Sequence, residues 1–241
     1  MTNALSGAVE PKSYYWSQAV WFCLYQQSRY FSQDPGDAMT KRYAPATERN
    51  REAILAVLHS HLPDQGTVLE IASGTGQHAV FFAQHLTPRY WLPTDIDATN
   101  LASIAVWREE ADVANLLPPR QLDVCDPTWS IDSDLPAPIT AIVNINMLHI
   151  SPWACCEALF AGAAEILIGG AVVMLYGPYK RDGLHTAPSN AAFDDQLRSQ
   201  DPKWGVRDLE AVVDVAVEQG FACQKVYEMP ANNLSVIFER G

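Results

Sequence analysis

Residues 68–79, VLEIASGTGQHA, run an apolar stretch into Gly74-Thr75-Gly76 and directly on into a helical pattern. Glycines at such a turn let a ligand approach the backbone, and the first turn of the helix offers unpaired N–H groups. This is chemistry for holding a nucleotide at the carboxyl edge of a parallel sheet, where ligands of such sheets bind. Ala72, Ser73, Gly74, Thr75 and Gly76 are the expected cradle. Asp95 follows about 20 residues after the last glycine, the spacing at which an acid accepts both hydroxyls of a ribose. Asp123 closes the next short strand, RQLDV, where an adenine amino group would arrive, and Ile96 and Val124 stand beside the two acids as further contacts.

The same glycines also satisfy a dinucleotide fingerprint, Gly74-x-Gly76-x-x-Ala79 with a later acid. Glu70 separates the two readings. An acid inside the first strand costs burial energy and needs a partner. It repels a pyrophosphate, whereas it holds a cationic amino acid moiety, as in S-adenosyl-L-methionine, through the ammonium group, directly or through water. Methyl transfer from such a sulfonium needs in-line approach more than acid–base machinery, although an acceptor hydroxyl benefits from a base. His149, in NINMLHISPW after the fourth apolar strand, is the candidate base; a histidine holding its loop by hydrogen bonds is the alternative. Asn144 and Asn146 alternate on that strand, so they share a face and either contact the cofactor or scaffold the loop. Tyr176 and Tyr179, in YGPYKRDG, are candidates to line the acceptor pocket, with Lys180 and Arg181 attracting an anionic acceptor. A solvated loop with one core tyrosine competes with that reading. Turn chemistry accounts for Asn232 and Asn233, and burial on a helix accounts for Cys155 and Cys156.

The elements that must position these residues alternate. A helix is expected over 47–62 with Thr47 as its cap, then strands at 67–72, 90–96, 120–124, 139–146 and 171–177, with helices at 77–86, 99–116 and after Ser151-Pro152. Residues 178–206 read as a polar stretch. A helix over 208–219 and an antiparallel pair flanking PANN complete the chain. The expected fold is an α/β, doubly wound, Rossmann-like and mostly parallel sheet with an antiparallel C-terminal hairpin. Residues 1–38, aromatic and amphipathic, read as an N-terminal extension, packed on the main domain or leading to a natural start near Met39; residues 39–241 read as the main domain.

Composition narrows the function classes. Sixteen Lys and Arg against 28 Asp and Glu give a net charge of −12 over 241 residues, which disfavours nucleic acid and anionic lipid. The five cysteines include no Cys-x-x-Cys pair, so neither a zinc site nor a disulfide framework is expected, and a reducing, cytoplasmic setting is. No stretch reaches the roughly 20 apolar residues of a spanning helix. A small-molecule acceptor follows, with no metal, no membrane and an open oligomeric state.

Glu70-x-Ala72-x-Gly74-x-Gly76 resembles the acidic-x-Gly-x-Gly-x-Gly signature of class I methyltransferases, with Ala72 in place of the first glycine. More narrowly, ERNREAIL, VLEIASGTGQHAVFFAQHL, PTDID, NINMLHISPW, YGPY, PSNAAFD, WGVRDLE and EMPANNLSVIFER together resemble the methyltransferase-like 26 family over residues 41–240. The resemblance implies an S-adenosyl-L-methionine-dependent methyltransferase, with Arg49 and Asn50 at the cofactor carboxylate or capping its pocket. Two other readings stay open: an NAD(P)-binding oxidoreductase at the same turn, and a non-catalytic partner subunit that binds the cofactor.

Overall fold

A computed structural model describes residues 41–131 and 133–241; the N-terminal extension read over 1–38 lies outside the described residues. Seven strands form one sheet in the order β3-β2-β1-β4-β5-β10-β9. They are β1 (Thr67–Ile71), β2 (Tyr90–Asp95), β3 (Arg120–Gln121), β4 (Ile139–Ile145), β5 (Val172–Gly177), β9 (Phe221–Met229) and β10 (Asn233–Arg240). β1 pairs in parallel with both β2 and β4, so the chain runs outward on each side of β1 and the order reverses between β1 and β4. β10 alone enters antiparallel, between β5 and β9. The expected fold class is the observed one.

Strands β1 and β5 are buried along their whole length, because helices cover both faces. On one face α1 (Pro45–His61) and α2 (Gln77–His85) set Ile54, Leu58 and Phe82 against Val68, Trp91, Val143 and Met174. On the other, α4 (Ala154–Ile166) and α6 (Leu209–Glu218) set Leu159, Phe160 and Val212 against Leu69, Ile142, Val173 and Phe238. Between β2 and β3, α3 (Ala98–Ala111) is capped by Asp97, whose carboxylate accepts the Thr99 N–H at 2.7 Å.

Four boundaries differ from expectation by two residues or more. α4 starts at Ala154 and not behind a Ser151 cap, because the Ser151 hydroxyl donates to the Met147 carbonyl at 2.8 Å. α1 starts at Pro45, not at Thr47, since proline fits the first helical position and Thr47 is itself buried in the first turn. α3 stops at Ala111 because Asp112 takes a left-handed conformation. β3 is only two residues long, since the Asp123 carboxylate accepts the Cys125 N–H at 2.9 Å and turns the chain. The polar stretch over 178–206 is also more ordered than it reads. It builds β6 (Tyr179–Arg181), β7 (Leu184–His185) and α5 (Pro188–Gln200), and with β8 (Arg207–Asp208) a second small sheet ordered β7-β6-β8.

Glu70 lies in the middle of β1, flanked by Pro93 of β2 and Val143 of β4, and is 2% exposed. Its Oε2 accepts the Trp91 indole N–H at 2.9 Å. Burial raises its pKa to about 7, against the opposing pull of that hydrogen bond. A carboxyl whose folded pKa lies above its unfolded value stabilises fully below the unfolded pKa, and that stability is lost as pH rises through the folded one. Glu70→Gln keeps an acceptor for Trp91 and cannot ionise. From pH 5 to pH 8, the stability of the native protein relative to this variant should therefore fall by about 2–3 kcal/mol. Denaturant titrations of both proteins at the two pH values measure it, and a difference that does not change with pH would contradict the burial of an ionisable group here.

Candidate functional site

The carboxyl ends of β1, β2 and β4 meet where the strand order reverses. The chain leaves β1 through Ala72 (φ +58°), Gly74 (φ +59°) and Gly76 (φ +93°), three left-handed residues in five. Ala72 holds that conformation without being glycine, a strain of roughly 1–2 kcal/mol, at the position where the acidic-x-Gly signature has its first glycine. Gly76 is required twice over, by its φ and because a Cβ there would lie 2.9 Å from the Ile104 Cα of α3. Hydrogen bonds fix the turn to β2. Ser73 donates its N–H to the Thr94 carbonyl at 2.8 Å, and its hydroxyl accepts the Thr94 N–H at 3.2 Å. Gly74 donates its N–H to Asp95 Oδ2 at 2.9 Å.

Asp95 is the junction of this edge. Its Oδ1 accepts the Asp97 N–H at 2.9 Å and the Asn100 side-chain amide at 3.1 Å. The residue is 4% exposed, and burial raises its pKa against those hydrogen bonds. Ile96, next along the chain, is 57% exposed, an apolar side chain left in solvent at the rim. Leu122 donates its N–H to the Asp95 carbonyl at 3.1 Å, so half-buried Asp123 and buried Val124 continue the same edge. Asp95, Ile96, Asp123 and Val124 are thereby brought together with the glycine turn.

Two residues that sequence reasoning passed over tie the start of α1 to this turn. The Gln77 side-chain oxygen accepts the Thr75 hydroxyl at 3.1 Å and also the Ala44 N–H. Ser103 donates to the Thr75 carbonyl at 2.8 Å and accepts the Arg42 N–H at 2.9 Å. A fully buried serine on the inner face of α3, next to Ile104, was the available signal.

Arg49 and Asn50 part company on α1. Arg49 is exposed, whereas Asn50 is buried and bonded to His78 Nε2 at 2.9 Å and to the Tyr176 side chain. Burial pushes Tyr176 up to about 12 and His78 down to about 3, the latter helped by the Arg51 charge. Asn50, His78 and Tyr176 therefore form a neutral polar knot joining α1, α2 and β5 below the rim.

On the β4 side, Asn144 donates to the Ile71 carbonyl at 2.9 Å and binds the ends of β1 and β4 together. Asn146 does not share its face through strand alternation: β4 ends at Ile145, and Asn146 turns away at φ +67°. The chain then makes a 3-10 turn over Met147–His149. His149 is 1% exposed and stands edge-on to Tyr179, with ring centroids 5.1 Å apart. It fills the slot that Gly177 leaves, where a Cβ would lie 2.3 Å from His149 Nε2. Neither ring nitrogen makes a well-formed hydrogen bond among the described residues, although the Gly205 backbone lies near the ring and favours its charged form. Burial, then the Arg207 charge, lowers its pKa to about 3. The expectation of a base at His149 and of pocket-lining tyrosines at Tyr176 and Tyr179 is thus corrected: all three are buried, His149 against Tyr179 on one face of the sheet and Tyr176 on the other face beside Asn50 of α1.

The segment over 178–208 is fastened at several points. Arg207 donates to the carbonyls of Leu148 (2.8 Å), Ser151 (2.5 Å) and Lys203 (2.8 Å), and Gly205 donates its N–H to the His149 carbonyl at 2.9 Å. Lys180 does not face a ligand; its ammonium lies 2.9 Å from the buried Asp194 carboxylate, which also meets His185 and Arg198. Burial alone would raise Asp194, but the Lys180 hydrogen bond and the Val206 N–H hold it low. Asn232 does more than turn a hairpin, since its carbonyl accepts Asn190 Nδ2 at 3.0 Å and its own amide donates to Ser189 at 3.2 Å.

Among the described residues no cluster of three or more His, Cys, Asp or Glu could hold a metal, and no helix is long and apolar enough to cross a membrane. The fold is that of class I S-adenosylmethionine-dependent methyltransferases. It is similar to the apo form of one named SibL (TM-score 0.66, 17% identity, 81% of this chain and 55% of that one). It is similar to an O-methyltransferase family 2 protein from Planctomyces limnophilus in complex with apigenin (TM-score 0.63, 17% identity, 79% and 62%). It is also similar to magnesium protoporphyrin IX methyltransferase from Synechocystis with bound S-adenosylhomocysteine (TM-score 0.59, 12% identity, 79% and 82%). The chain spans little more than half the length of SibL. The family described as protein of unknown function (DUF938) matches residues 41–240, so nearly all of the described chain carries its pattern, and the chain belongs to that family.

Proposed function

We propose that this chain is an S-adenosyl-L-methionine-dependent methyltransferase that acts on a small-molecule acceptor at O or N. The observation that carries the reading is the edge where Asp95 holds the Gly74 N–H beside an exposed Ile96. A carboxylate with lone pairs remaining accepts ribose hydroxyls, an exposed apolar side chain next to it covers one face of an adenine, and Asp123 with Val124 borders the far end. The motifs that resemble the methyltransferase-like 26 family agree with this, as do the methyltransferases whose fold it shares. A net charge of −12 argues against a nucleic-acid acceptor, and the four free cysteines among the described residues suit the cytoplasm.

The cofactor, when bound, supplies an electrophilic methyl on a sulfonium. The chain's own part is positional. Ala72, Ser73, Gly74, Thr75 and Gly76 present backbone to the ligand, and Arg49, exposed at the head of α1, supplies a cation to its carboxylate. Glu70 lies inside the sheet with its carboxyl on Trp91, so it reaches the ammonium group of the cofactor through water and not directly. Asn144 and Asn146 shape the β4 edge. With His149 buried and held neutral, and with Tyr176 and Tyr179 buried as well, proximity carries the transfer.

Calorimetry with S-adenosylhomocysteine tests the reading. Asp95→Ala should weaken binding by roughly 1.5–3 kcal/mol, the range for hydrogen bonds to a charged group. Asp97→Ala removes the cap of α3 and should instead lower stability by about 1 kcal/mol with affinity nearly intact. Equal affinity losses at the two positions, or no binding by the native protein, would contradict the assignment. His149→Gln should lower the melting temperature and keep turnover of an acceptor within about tenfold. A fall of about 10²–10⁴ in turnover with unchanged stability is the signature of a lost general base and would restore that role.

A further inference from the structure

Cys125 and Cys155 bring their sulfur atoms to 3.3 Å, and both are free thiols. Cys125 is exposed and Cys155 is half-buried. They belong to two segments that meet more than once. The loop over 122–131 runs along α4, and further on Trp129 packs so closely against Gly162 that an added Cβ would lie 2.3 Å from its ring. The contact is therefore built into the packing of loop on helix. Two sulfurs in a disulfide sit about 2.05 Å apart, and residues 125–128 are exposed, so little packing opposes the remaining approach.

We propose that Cys125 and Cys155 form a reversible thiol–disulfide site whose closure moves the Asp123–Val124 edge and weakens cofactor binding; the second half of this rests on the function proposed above. The oxidant is hydrogen peroxide. The exposed Cys125 thiolate attacks one peroxide oxygen, the O–O bond breaks, and the sulfur becomes a sulfenic acid while the other oxygen leaves with the Cys125 proton as water. The Cys155 sulfur then attacks the sulfenic sulfur, forms the S–S bond and displaces hydroxide, which takes the Cys155 proton as a second water. Two thiols lose two electrons and the peroxide gains them. Burial, then the neighbouring Cys155 and the charges of Asp123 and Asp126, push Cys125 up to about 12. Little of the thiol is ionised near neutral pH, so attack is slow and closure takes sustained oxidant. The movement reaches the rim because the Asp123 carboxylate holds the Cys125 N–H at 2.9 Å.

The full chain is treated with hydrogen peroxide or with dithiothreitol, alkylated, and digested with chymotrypsin, which cuts between the two cysteines. Mass spectrometry should find a Cys125–Cys155 linked peptide in the oxidised sample, lost on reduction, absent in Cys125→Ser and kept in Cys156→Ser. S-adenosylhomocysteine affinity, measured by calorimetry, should drop at least about fivefold on oxidation, the lower end of ordinary coupling between sites, and recover with dithiothreitol. Free alkylated thiols after oxidation, or a bridge to Cys156, would overturn the redox site. A bridge without a change in affinity would overturn its coupling to the cofactor edge. Failure of the reduced protein to bind S-adenosylhomocysteine would refute the cofactor reading and the coupling built on it, while the linked peptide still decides the redox pair.

Discussion

The Asp95 carboxylate is the constraint on which the site depends. It is buried at the end of β2 and accepts three hydrogen bonds from two segments: one from the glycine turn through Gly74, and two from the start of α3 through the Asp97 N–H and the Asn100 side chain. A buried acid is costly unless its oxygens are satisfied, and here full satisfaction of Oδ2 requires the turn after β1 to fold back on β2. Hydrogen bonds to a charged acceptor are worth about twice those between neutral groups. They can therefore hold Ala72, Gly74 and Gly76 in left-handed conformations that the chain would otherwise avoid. The close approach of α3 to Gly76, and the Gln77 and Ser103 links to residues 42 and 44, build on that turn.

A second constraint governs the turn after β4. One guanidinium, Arg207, gathers carbonyls from both sides of the turn after β4 and from its own loop, while Gly205 fastens the His149 carbonyl. The result is a rigid floor in which the imidazole fills a slot made by Gly177. Burial keeps the His149 imidazole neutral beside the Arg207 charge.

Much of this was legible from the residues. Apolar runs of strand length separated by helical patterns give the layers, and the spacing from Gly76 to Asp95 points to the end of β2. What escaped were features set by distant partners. β6, β7 and β8 are two or three residues long, too short to show a period of two, and exist because Lys180 meets Asp194 and Arg207 meets the loop after β4. The burial of His149 depends on a missing side chain at Gly177, far away in sequence. The alternation of Asn144 and Asn146 ended one residue early, at a left-handed asparagine that no periodicity reveals. Glu70 was legible as an acid in need of a partner, but the partner, Trp91, lies on the neighbouring strand.

If the turn over 72–76 and the edge at Asp95 hold one ligand between them, amide hydrogen exchange with and without saturating S-adenosylhomocysteine will register both. The ligand should slow exchange in peptides covering 72–79, 95–97 and 122–125 together. Slowing that leaves 72–79 and 95–97 unchanged and falls instead in the groove lined by Arg51, Phe81 and Trp107 between α1, α2 and α3 would contradict it.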